Sequence, residues 1–65
     1  MIYVNGDEQP DAATVAALLE RLGVGAQARG VAVALDGEVL PRSQWQLAPL
    51  APGTRVEVLG AIQGG

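Results

Sequence analysis

Val15, Leu18, Leu19 and Leu22 recur at i, i+3, i+4 and i+7, the one segment of this 65-residue chain with a helical period. Ala16, Ala17, Glu20 and Arg21 fill the remaining positions with strong helix formers. Thr14 stands at the N-cap position, with Asp11 a turn earlier as its competitor, and Gly23 fits the left-handed stop. A helix of two turns does not persist in water by itself. Its single apolar stripe must therefore lie on a sheet, and the rest of the chain has to supply one.

The flanking segments do so. Ile2 and Val4 alternate with Met1 and Tyr3 and run into Asn5-Gly6, the pair that a type I′ hairpin turn favours because both central residues need positive φ. Asp7-Glu8-Gln9 is the returning arm, closed by Pro10, which has no N–H for a ladder. Val31 to Leu35 reads as a strand with Val31, Val33 and Leu35 on one face and Ala32 and Ala34 on the other. Asp36-Gly37 is a second I′-type turn, returning through Glu38-Val39-Leu40 to Pro41. The stretch from Pro41 to Pro52 carries Trp45, Leu47 and Leu50 as an irregular cover with room for one helical turn. After a turn at Pro52-Gly53, Thr54 to Leu59 alternates Val56 and Val58 against Arg55 and Glu57. The order ββαββ-irregular-β predicts an α+β fold, a mixed sheet of about five strands on one helix. The crossover through the helix requires a parallel pairing, which places the first and last strands side by side in the middle.

Composition then removes most chemistry. The chain has no Cys, His or Lys, so it offers no thiolate, imidazole base, Schiff base or Cys/His metal site. Four scattered arginines against seven acids, a net charge of −3, do not make a phosphate-binding stripe, so nucleic acid is not expected as a partner. No apolar run is long enough for a membrane span, and the first residues lack the basic and apolar regions of a signal peptide. The expectation is a cytoplasmic protein, with no metal of its own, on which another protein's side chains perform any reaction.

The remaining feature is Gly64-Gly65. Residues 1–59 are expected to form the domain and residues 60–65 a flexible tail: Gly60, Ala61, Ile62, Gln63, Gly64 and Gly65. Six extended residues reach at most about 20 Å. Glycines lack Cβ atoms, so the last two can pass a narrow channel and adopt dihedrals closed to other residues. A partner that uses ATP can activate the Gly65 carboxylate as an acyl-adenylate, which a sulfur or amine nucleophile then attacks. The same two glycines also fit a merely permissive chain end.

Several stretches carry a family resemblance. They are Ile2 to Gly6 (I-Y-V-N-G), Thr14-Val15 leading to Leu18-Leu19, and Val31 to Leu35 (V-A-V-A-L). The run Asp36-Gly37-Glu38-Val39-Leu40-Pro41-Arg42 followed by Trp45 is the most specific, and Gly53 to Glu57 with Ile62-Gln63-Gly64-Gly65 completes the set. Together they resemble the ubiquitin-like β-grasp sulfur carriers, and more narrowly the thiamine-biosynthesis (ThiS) family. The resemblance covers nearly the whole chain, and departs from the family at Asp36, where Asn is usual, and at Thr54, where Asp is usual.

The resemblance implies a β-grasp domain and a carrier that is not itself an enzyme. A ThiF-type adenylyltransferase would use ATP and magnesium to adenylate Gly65. A persulfide from a cysteine desulfurase would convert it to a thiocarboxylate, and a ThiG-type thiazole synthase would accept the sulfur. Ala61, Ile62, Gln63 and Gly64, with Gly60, would be the tail that those partners hold. The alternatives are a small subunit of the molybdopterin synthase type, or a ubiquitin-like modifier or interaction module. Pterin-type carriers are longer and place prolines before their last residues, whereas Leu59 to Gln63 has none.

Other residues read as structural. Trp45 is expected to cover the core and Arg42 to cap a turn, with partner contact as the competing reading. Asp7, Glu8, Asp11, Glu20 and Glu38 are expected on a solvated surface. The alanine face at Ala32 and Ala34 would be an apolar docking surface if no helix covers it.

Overall fold

The computed structural model describes residues 1–25 and 29–60. The elements follow the predicted order: β1 (Ile2–Val4), β2 (Asp7–Gln9), α1 (Val15–Arg21), β3 (Val31–Leu35), β4 (Glu38–Leu40), a 3-10 turn (Arg42–Gln44) and β5 (Arg55–Gly60). They form one five-stranded sheet in the order β2-β1-β5-β3-β4. β1 and β5 are parallel at its centre, with Tyr3 opposite Arg55 and Val4 opposite Val56. The other pairs are antiparallel.

Both hairpins turn through the left-handed backbone that their Asx-Gly pairs permit. Asn5 and Gly6 have φ of 51° and 89°, and Asp36 and Gly37 have 48° and 88°. Gly53, at φ 85°, makes the Pro52-Gly53 turn with Thr54 N donating to Ala51 O at 3.1 Å. The Thr54 hydroxyl donates to the same carbonyl at 2.7 Å, a bond an ionised aspartate has no proton to make.

α1 is capped at both ends. Thr14 is the N-cap, its Oγ1 accepting from Ala17 N at 3.1 Å. The two amides before Ala17 go to the irregular segment: Val15 N donates to Ala48 O and Ala16 N to Trp45 O. The first-turn donors are thereby satisfied within the protein. Asp11 takes a different partner, the Met1 ammonium at 2.7 Å. At the other end Gly23 N bonds Glu20 O and Val24 N bonds Leu19 O, the two bonds of a Schellman stop, with Gly23 at φ 84°.

The core lies between α1 and one sheet face. Ile2, Val4, Val15, Leu18, Leu19, Val33, Trp45, Leu50 and Val56 form a single buried cluster. Trp45 is 3 % exposed and its Nε1 donates to Leu40 O at 3.3 Å, so the 41–52 segment closes the open side of the helix as the sequence predicted. Arg42 sits over the same ring, its guanidinium carbon 4.6 Å from the centroid.

Two positions differ from the periodicity. Leu22, the fourth residue of the stripe, is the helix C-cap and stays 38 % exposed. The helix has already ended at Arg21, so the stripe loses its angle there. Ala34 is buried although it faces away from α1. Its register partners are Val39 and Glu57, and a methyl group between two longer side chains is shielded without a second layer. Ala32 is exposed, so the alanine face is not uniformly open.

Candidate functional site: the exit of the last strand

The chemistry expected of this chain lies in the segment that follows β5. Ala61, Ile62, Gln63, Gly64 and Gly65 lie outside the described residues. Gly60 is described, and it belongs to the sheet: it is the last residue of β5, opposite Val31. The strand therefore carries the chain one residue beyond Leu59, and the tail is counted from a base fixed by pairing.

β5 is held from both sides by side chains of the two hairpin turns. Asp36 N donates to Arg55 O at 2.8 Å, and Arg55 N donates back to Asp36 Oδ1 at 2.9 Å. Asn5 N donates to Val56 O at 2.9 Å. Its carboxamide reaches further along: Val58 N donates to Oδ1 at 2.9 Å, and Nδ2 donates to Val58 O at 3.2 Å. Amide orientation follows from these partners, since an N–H needs the oxygen and a carbonyl needs the NH₂.

The sequence places Asn5 in its turn, and nothing in its spacing connects it to β5. The signal available was general: Asx side chains bond nearby backbone groups when their own backbone leaves a ladder. That the backbone in question lies 53 residues away is visible only in the fold.

The sheet face away from α1 carries Tyr3, Leu59 and Val39, which are 38, 62 and 76 % exposed, together with Arg55 and Glu57. Among the described residues no group of three or more Asp or Glu could hold a metal ion. No buried side-chain polar atom lacks a partner there. The described helices include none long and apolar enough to cross a membrane. The Thr14 and Thr54 hydroxyls are engaged in a cap and a turn. What the described domain offers is a paired and hydrogen-bonded strand leading to the segment after Gly60.

The comparisons with known proteins agree with this fold. The family model described as the ThiS family matches residues 1–65. The chain is 36 % identical over 66 residues to a protein named sulfur carrier protein ThiS from Thermus thermophilus, covering all of both. It is similar to the crystal structure of a thiamine biosynthesis protein (ThiS) from Geobacter metallireducens, with a TM-score of 0.76 and 40 % identity over 98 % of this chain and 97 % of that one. The solution structure of a thiamine biosynthesis protein from the same organism gives 0.76 and 38 % over 98 and 86 % of the two chains.

Proposed function

The chain belongs to the ThiS family, and from that premise we propose that it is a sulfur carrier of thiamine biosynthesis whose reactive group is the Gly65 carboxylate. The observation that carries the reading is the family match through residues 1–65, which takes in Gly64-Gly65. It stands beside a composition with no Cys, His or Lys to do chemistry of its own.

A carboxylate is a poor electrophile, so a ThiF-type adenylyltransferase supplies ATP and magnesium. The Gly65 carboxylate oxygen attacks the α-phosphate, pyrophosphate leaves, and Gly65 becomes an acyl-adenylate. The terminal sulfur of a persulfide, generated by a cysteine desulfurase, attacks the acyl carbon and AMP leaves, giving an acyl disulfide. A thiol then attacks the outer sulfur of that bond. It is oxidised to a disulfide, and the thiocarboxylate is released on Gly65. A ThiG-type thiazole synthase accepts this sulfur, which is softer and more nucleophilic than the oxygen it replaced.

The chain's own contribution is presentation. β5 delivers Gly60 at the end of a paired strand. The five residues from 61 to 65 span at most about 18 Å when extended, enough to carry a carboxylate into a partner's cleft while the domain stays outside. Lacking a thiol or a lysine, the domain has no such group to capture its own activated carbonyl. The setting proposed is cytoplasmic, where ATP and the persulfide source are available.

Intact-mass measurement tests the reading. The protein is incubated with ATP, magnesium, the adenylating partner and a persulfide source, and the expected result is exchange of one oxygen for sulfur at Gly65. An unchanged mass with partners active on another carrier overturns it. Attachment to lysines of other proteins instead identifies a modifier.

A further inference from the structure

β1 stops pairing with β5 at Val4 because the chain must turn at Asn5-Gly6 to form the first hairpin. β5 continues four residues past Val56, to Gly60. In an unbroken parallel ladder the Asn5 backbone carbonyl would accept from Val58 N, and a residue further along β1 would donate to Val58 O. The left-handed backbone of Asn5, at φ 51°, turns that carbonyl away. Its carboxamide occupies both vacated places, with Oδ1 on Val58 N and Nδ2 on Val58 O. A single side chain thus extends the central ladder to within two residues of Gly60.

The second hairpin uses the same device once. Asp36 Oδ1 replaces the backbone carbonyl that would have accepted from Arg55 N, while the Asp36 N–H makes its own ladder bond. An acceptor suffices there, and an Asp supplies it. At Asn5 an acceptor and a donor are both used, which a carboxamide provides on two separate atoms and an ionised carboxylate does not. Arg55 begins β5 and Val58 lies near its exit, so the two turns act on opposite ends of one strand.

We propose that Asn5 is a positioning residue for the C-terminal tail: through Val58 it fixes where and in which direction the chain leaves the sheet at Gly60. The proposal rests on Gly65 being the group that partners charge. Without the clamp the end of β5 is held by β3 alone, with Leu59 opposite Ala32 and Gly60 opposite Val31. A partner must then order the released β1 side as well as the tail, which weakens binding without changing the acyl chemistry. The loss therefore falls on the carrier concentration needed for charging, not on the maximal rate.

Asn5→Gly is the test, because glycine accepts the left-handed backbone and keeps the turn while removing the carboxamide. Asp36→Gly is the matched control at the far end of β5. Charging by the adenylating partner with ATP and a persulfide source is followed against carrier concentration. For Asn5→Gly the half-saturating concentration is expected to rise about tenfold, with the maximal rate within about twofold of the parent. For Asp36→Gly it is expected to stay at the parent value. An equal rise in both variants, or none in Asn5→Gly, overturns the proposal. NMR decides separately from activity. The Gly60 N–H orientation, read from residual dipolar couplings, is expected to change in Asn5→Gly and not in Asp36→Gly, and an unchanged orientation overturns the assignment. If the unaltered protein gains no sulfur, the carrier reading fails, and the Gly60 couplings still decide the role of Asn5.

Discussion

Asp36 and Arg55 exchange two hydrogen bonds across the sheet, one from backbone to backbone and one from the Arg55 N–H to the Asp36 carboxylate. The side-chain oxygen stands in for a carbonyl that the turn has rotated out of the ladder. This accounts for why an Asp serves where the family resemblance leads one to expect Asn: only acceptor capacity is used.

The replacement at this site is accordingly mild. Asp36→Asn retains an oxygen for Arg55 N and should change stability by no more than about 0.5 kcal/mol in urea unfolding. Asp36→Ala loses the bond, and with it the short polar side chain that tolerates φ 48°, and should cost about 1–3 kcal/mol. At Asn5 the order differs, because Asn5→Asp takes away the donor to Val58 O and sets a carboxylate oxygen against that carbonyl. Asn5→Asp should therefore cost about 1 kcal/mol or more, clearly above Asp36→Asn. Equal costs for the two would contradict the donor's role.

Gly23 and Gly25 make an internal control for backbone conformation. A Cβ at either would meet nothing within 4 Å, yet only Gly23 has positive φ, 84°. Gly23→Ala should destabilise by about 1–2 kcal/mol through the left-handed strain at the Schellman stop. Gly25→Ala should be neutral or stabilise by up to about 1 kcal/mol by restricting the unfolded chain. Thermal unfolding of the two variants compares them directly.

Trp45 is where a single side chain decides whether the domain folds. It is buried in the one core cluster, its Nε1 bonds Leu40 O, and its own carbonyl accepts the Ala16 amide of α1. Trp45→Ala should cost about 3–5 kcal/mol, comparable with the about 3–5 kcal/mol that a core of this size supplies. Circular dichroism should show it largely unfolded at room temperature. Trp45→Phe keeps most of the packing and should fold, with a loss of about 1–2 kcal/mol. A stable Trp45→Ala protein would mean that the 41–52 segment is dispensable.

Local signals were enough for most of the fold. Asn5-Gly6, Asp36-Gly37, Thr14 and Gly23 each fix a conformation through their immediate neighbours, and the two hairpins with one helix leave few ways to assemble. The parallel β1–β5 pair followed from the crossover, not from any residue. What sequence spacing could not reach depends on partners far along the chain. The exposure of Leu22 follows from where the helix stops, and the burial of Ala34 from Val39 and Glu57 beside it. The irregular 41–52 segment reads as mere cover, yet its Trp45 and Ala48 carbonyls cap two amides of α1. The clamp on Val58 belongs to the same class: the carboxamide is local in sequence to a turn and acts on another strand. The role proposed for Gly65 rests on what Gly64 and Gly65 lack, since no packing pattern in the sequence identifies a reactive carboxylate.

Removal of Gly65 separates the fold from the chemistry. The core cluster lies between Ile2 and Val56, and among the described residues the sheet pairing runs to Gly60. A chain ending at Gly64 should therefore unfold within about 0.5 kcal/mol of the parent. It still ends in a glycine carboxylate, so nothing intrinsic to that group prevents activation; only its reach is shortened, by about 3.5 Å. Reacting atoms must approach to about 3–3.5 Å, so on the proposed mechanism a shortfall of one residue would leave the carboxylate outside bonding distance of the ATP phosphate. The truncated protein is expected to bind the adenylating partner through its domain, to gain no sulfur by intact mass, and to compete with the full chain. Sulfur gain at the parent rate would show that the domain surface, and not the length of the tail, locates the reactive carboxylate.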